Sequence, residues 1–179
     1  MRMNFGTVAI FLICASLGAC TPIQLFPKDV MEGVETNFDF TAWKIAPNAR
    51  LNRKVQLGGR IVQAESVEGQ TTIIAMQLPI VEHPAYGPRE TGKRTGEFAI
   101  LFTGKSGPNA LAVGNRLIVV GTTRKAQVVA VDDVKRSLPT VVARCLHIWK
   151  TGGREISEFP SVGAGYEPLE EDTYCVSGL

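Results

Sequence analysis

Histidine is nearly missing from this chain, with only His83 and His147 among 179 residues. A metal centre or an acid–base pair needs partners at ligand spacing or converging on one point, and no Cys, Asp or Glu stands at such a spacing from either ring. Both histidines therefore read as surface or packed residues, and no metal or cofactor is expected. Aromatic residues make up only 7% of the chain. The stacking platforms of a single-strand nucleic-acid binder are lacking, and Trp43 and Trp149 read as core or rim packing. Charge of one sign is lacking too: 19 basic residues face 17 acidic ones, for a net charge of +2. That balance excludes the strongly basic face of a dedicated nucleic-acid protein. Long apolar runs are absent as well. Val8 through Leu17 is ten residues, against the roughly 20 that a membrane-spanning helix requires.

That short run has the form of a secretory signal. Arg2 supplies the positive end, Val8–Leu17 the apolar middle, and small residues precede a cut. The run closes on Leu17-Gly18-Ala19-Cys20, which resembles a bacterial lipobox, with Gly18 where Ala or Ser is commonest. Cleavage before Cys20 would leave that cysteine as the first mature residue, carrying a diacylglycerol and an acyl chain such as palmitate. Several acyl chains, each contributing about 0.8 kcal/mol per buried CH₂, make such an anchor effectively permanent. Thr21 follows where lipoproteins kept at the inner membrane carry Asp, so the class resemblance implies the outer membrane, with the periplasmic face expected.

Removing residues 1–19 leaves 160 residues (179 − 19) and takes away Arg2, for a net charge of +1. One domain with a real core fits that length. The expected organisation is a signal peptide at 1–19, a lipidated tether and lead-in at 20–46, a β domain at 47–150 and a tail at 151–179. Of the four cysteines, Cys14 leaves with the signal and Cys20 takes lipid. Cys145 and Cys175 remain. In an oxidising compartment they form a disulfide, or else Cys145 is a buried strand residue and Cys175 a free tail thiol; spacing does not choose between these.

The body of the chain reads as β-structure. Behind Pro27, residues 28–34 predict one or two helical turns, and Pro47-Asn48-Ala49 predicts a turn. Strands are predicted at 55–64, 71–80, 98–103, 116–123 and 141–149, with 128–131 pairing beside or continuing the fourth. The Gly58-Gly59 pair predicts a bulge or a sharp bend. Five or six short strands with almost no helical periodicity predict an all-β domain, a small antiparallel OB-like barrel behind its N-terminal lipid-anchor tether. The segment 82–95 is a polar loop carrying Arg89, Lys93 and Arg94, which are candidates for anionic head-group contact, with a solvated loop as the plainer reading. Ala99 to Ser106 fits a loose phosphate-loop pattern, but its middle is apolar strand and Gly107-Pro108 stands where a helix should start.

In order along the chain come the lipobox, Leu57-Gly58-Gly59-Arg60-Ile61-Val62, a strand ending in Leu78-Pro79, Gly92-Lys93 ahead of Phe98, Gly114-Asn115-Arg116-Leu117-Ile118-Val119-Val120-Gly121, and Cys145-Leu146-His147-Ile148-Trp149. Together they resemble the Slp family of starvation-inducible outer-membrane lipoproteins. The chain differs in lacking a long aromatic tail, carrying instead an acidic patch at Glu167, Glu170, Glu171 and Asp172. The resemblance implies an OB-like envelope lipoprotein linked to stress physiology, with no catalytic residues to carry over. A non-catalytic binding module is expected, with another envelope protein, peptidoglycan or a lipid head group as partner and no nucleic acid. The rival readings are an envelope-acting hydrolase and an obligate subunit of an outer-membrane assembly.

Overall fold

β-branched and aromatic runs, punctuated by turn residues, set the strand pattern. The computed structural model describes residues 24–83, 85–92, 95–159 and 168–176. Strands β1 (Lys54–Val67) and β2 (Gln70–Leu78) form a hairpin. Its turn residues Glu68 and Gly69 lie at φ 50° and 82°, the positive pair that matches the twist of a two-residue turn. Ile80–Val81 (β3) and Gly87–Pro88 (β4) make a small separate pair, and β5 is Glu97–Phe102. A second, longer hairpin joins β6 (Arg116–Val131) to β7 (Val134–Trp149) through Asp132 and Asp133 at φ 48° and 63°. Strand β8 (Glu171–Cys175) lies antiparallel on β7.

Five of these strands close into a ring. β1 pairs with β2 and β6, β2 with β5, and β6 with β7, all antiparallel. The last seam, β5 to β7, runs parallel from Ala99↔Thr140 to Leu101↔Val142, so the expected antiparallel arrangement holds at the other four seams of the ring and fails at this one.

Inside the ring, alternate residues build one core: Val55, Leu57 and Ile61 of β1, Ile73 and Ala75 of β2, Phe98, Ile100 and Phe102 of β5, and Leu117 and Val119 of β6. On β7 the inward set changes phase, from Val141 and Ala143 to Leu146 and Ile148. The cause is a bulge. Val120 faces Cys145 while Gly121 faces Ala143, which leaves Arg144 as the extra residue. Gly121 permits this, because a Cβ there would lie 2.3 Å from the Val142 carbonyl oxygen and 2.6 Å from Val141 Cγ1.

The lead-in segment plugs the ring. Helix α1 is Lys28–Met31 and α2 is Phe40–Ile45. Asp39 caps α2, its carboxylate accepting the Ala42 amide at 3.0 Å. Phe40 and Trp43 then meet Phe98 and each other edge-on or tilted, with centroids 5.7–6.4 Å apart.

Two local expectations are corrected. Gly58 and Gly59 pair in regular register with both neighbours, and the β1 bulge falls instead between Ile61 and Gln63. The glycines admit close packing: a Cβ on Gly58 would sit 2.7 Å from the Leu78 carbonyl and 2.8 Å from Ile80. β7 begins at Val134 rather than 141. The stretch 128–131 continues the strand begun at Arg116, one of the two expected arrangements. Pro139 is tolerated within β7 because it lies opposite a second bulge, where Arg124 faces Thr140 and Gln127 faces Leu138.

Candidate functional site

The outside of the ring carries a second apolar cluster, and the chain leading out of the N-terminus is seated on it. Phe26 and Val30 pack with Ile118, Val120, Cys145 and Trp149. Leu25 and Met31 flank them. Polar contacts fix the seat: the Thr173 hydroxyl donates to the Leu25 carbonyl at 3.1 Å, and Lys54 Nζ donates to the Glu32 carbonyl at 2.9 Å. Farther along, the Glu35 amide donates to the Lys54 carbonyl at 2.9 Å, adding a short parallel bridge to β1.

Cys145 and Cys175 are bonded, with Sγ–Sγ 2.00 Å and Cα–Cα 4.1 Å. The bond joins β8 to β7 directly beneath this seat. Closing a loop of 30 residues contributes about 3–4 kcal/mol by the chain-entropy account. The same register sets Thr173 against His147 and Glu171 against Trp149.

His147 is 4% exposed. Its Nδ1 lies 2.7 Å from Thr173 Oγ1, and Nε2 lies 3.4 Å from a Glu171 carboxylate oxygen. Trp149 meets the ring edge-on at 4.3 Å, with Phe26 at 6.4 Å. Burial pushes the His147 pKa down from 6.5, and Glu171 and Asp172 oppose that pull only in part. This arrangement orients and neutralises the imidazole.

A buried guanidinium ties the start of β6 to the loop that follows β7. Arg116, 1% exposed, donates to the Arg154 carbonyl at 3.0 Å, the Pro88 carbonyl at 3.3 Å and the Glu155 carboxylate at 2.7 Å. Such a pair is costly to break because the remaining charge is left without compensation.

Of the residues singled out from sequence, Cys20, Lys93 and Arg94 lie outside the described residues. Arg89 is half-buried and donates to the His83 carbonyl at 3.1 Å. His83 is exposed, Trp43 is in the core and Trp149 lies in the outer cluster. Gly104–Ser106 opens an irregular loop with no helix behind it. The approach of Glu171 and Thr173 to His147 escaped sequence reading. The signal was the cysteine pair: an antiparallel bridge from 145 to 175 places 147 beside 173.

The pattern of the outer membrane lipoprotein Slp family matches residues 17–173. The chain belongs to the Slp family. The Slp match opens at Leu17, inside the lipobox-like run, and reaches Thr173 within β8, so the tether seat and the His147 pairing lie inside it. No curated protein and no solved structure matches the chain.

Proposed function

We propose that this Slp-family protein is a non-catalytic binding module of the outer membrane, anchored through a diacylglycerol and acyl chain on Cys20, on the periplasmic face. The observation that carries the proposal is the family match, which takes in Leu17-Gly18-Ala19-Cys20 together with the whole ring. A ring of five strands with a single parallel seam supports an OB-like barrel as its body. The seating of Leu25 and Phe26 supports a membrane-proximal domain rather than one on a free leash. The burial of His147 under Phe26 and Trp149 supports a structural imidazole, since a general base must reach a substrate. Arg89, in the loop 82–95, and the edge of β8 that is unpaired among the described residues are the surfaces offered to envelope partners, within the stress physiology that the family implies.

The test is Cys20→Ala in cells fed labelled palmitate, followed by membrane fractionation. Label on the parent chain, none on the variant, and release of the variant are expected. An unlabelled parent, or a variant that stays in the outer membrane, would overturn the anchor. Protease added to intact cells should leave the chain uncut; cleavage would put it on the outer surface instead.

A further inference from the structure

A groove of about 250 Å³ crosses the outside of the ring beside α1. Val30, Val120 and Val142 supply apolar walls, with Gly121 and Ala143 between them. Val142 is 38% exposed there. Lys54, Arg124 and Arg144 complete the lining, and no acidic residue takes part.

Among the described residues these three cations are bound only to neutral oxygens. Lys54 donates to the Glu32 carbonyl, Arg124 to the Asn52 side-chain oxygen and Arg144 to the Val176 carbonyl. Arg53, Arg60, Arg116, Arg136 and Lys150, by contrast, each pair with a carboxylate. Among the described residues no carboxylate stands at ion-pairing distance from the groove's three cations. Like charges gathered without counter-charge repel one another, so an anion placed among them is stabilised.

The backbone is shaped for this. Arg144 is the extra residue of the β6–β7 bulge, and bulges re-aim side chains at ligand sites. The position in the chain is equally specific. Gln24, the first described residue, is four residues beyond Cys20, at most about 14 Å of extended chain. Leu25 and Phe26 then share one apolar cluster with Val30, the groove's own wall.

We propose that this groove holds the phosphate-bearing head group of an anionic glycerophospholipid drawn from the leaflet in which the protein is anchored. The phosphate sits among Lys54, Arg124 and Arg144, and the first methylenes lie along Val120 and Val142. The volume suits a head group, being below the roughly 300–1,000 Å³ of pockets that enclose a whole drug-sized ligand. The source of the ligand rests on the lipidation of Cys20; the binding chemistry does not.

The test uses the full chain, extracted in neutral detergent and weighed intact with its bound lipid after titration with phosphatidylglycerol or phosphatidylcholine. One phosphatidylglycerol should be retained in preference to phosphatidylcholine. Lys54→Gln, Arg124→Gln and Arg144→Gln should each weaken retention about fivefold, and the triple variant about 100-fold. Val142→Asp removes none of the groove's hydrogen bonds yet should also abolish retention, while Lys150→Gln outside the groove should leave it intact. Equal retention of the two lipids, or variants that bind like the parent, would overturn the proposal. Complete displacement by millimolar inorganic phosphate would also overturn it, identifying a free-phosphate site. Mass alone reports whether Cys20 carries lipid, so a failed anchor and a failed groove give different results.

Discussion

Nδ1 of His147 stands 2.7 Å from the hydroxyl of Thr173, which itself donates to the Leu25 carbonyl 3.1 Å away. A carbonyl only accepts, so the single hydroxyl proton points at Leu25 and the imidazole must carry its own proton on Nδ1. Nε2 can then donate to the Glu171 carboxylate, 3.4 Å away, only when the ring takes up a second proton, which burial opposes. Three segments distant in sequence are thereby joined through one neutral ring.

That neutrality predicts a pH dependence. Burial holds the folded pKa of His147 below 6.5, so on acidification the unfolded chain takes up the proton first. The stabilisation is full above pH about 6.5 and is lost as pH falls through the folded value. Thermal unfolding followed downward from neutral pH should show Tm declining below about 6.5, and His147→Asn should flatten that decline. Parallel curves for the two proteins would assign the titration elsewhere.

The bond between Cys145 and Cys175 should dominate the attachment of β8. Cys175→Ser is expected to lower unfolding free energy by about 3–4 kcal/mol, read by urea denaturation. Added reductant should bring the parent to the level of the variant and leave the variant unchanged.

Trp43 should separate volume from polarity. Its indole nitrogen has no hydrogen-bond partner among the described residues, although the ring is fully buried. Trp43→Ala opens the plug and should cost about 3–5 kcal/mol. Trp43→Phe removes an unsatisfied donor along with some volume, and the two effects partly offset each other. A loss near 1 kcal/mol or less is expected for Phe by the same denaturation measurement.

Gly121→Ala tests the bulge. The new methyl would overlap the Val142 carbonyl, forcing β6 and β7 apart at a cost of about 1–3 kcal/mol. Amide exchange should quicken around Thr122 and Ala143, whereas Gly69→Ala, whose strain at φ 82° falls on the β1–β2 turn, should quicken exchange at that turn and not around Thr122 and Ala143.

What could be read from the chain followed the apolar runs, which on β5 are buried on both faces. β1, β2 and β5 announce themselves because β-branched and aromatic residues face the core. The outer half of the β6–β7 hairpin does not, since Arg124, Lys125, Lys135, Arg136 and Ser137 face water. Pro139 there imitates a strand breaker until the bulge opposite it is known. α2 runs only six residues, too few for a periodicity, and leaves only Asp39 and the Phe40/Trp43 spacing as signals. β8 is acidic and polar, and its partner is legible only through the cysteines. The groove could not be read at all, because Lys54, Arg124 and Arg144 come from three strands and meet only after the ring has closed.

The parallel seam also has a consequence in time. It joins Ala99–Leu101 to Thr140–Val142, so residues separated by some forty positions must meet before the ring is complete. Both hairpins, with their two-residue turns, bring near neighbours together and incur little loop entropy, whereas this seam and the longer-range pairing of β1 with β6, from Lys54↔Thr122 to Arg60↔Arg116, cost more. β1–β2 and β6–β7 should therefore assemble first and the pairings that close the ring later. Pulse-labelled amide exchange during refolding should find Ile100 and Val141 protected after Ile74 and Ile118. A chain exported unfolded thus completes its interior only when nearly all of it has crossed the membrane, and β8 can find its strand, and Cys175 its partner, only after β7 has emerged.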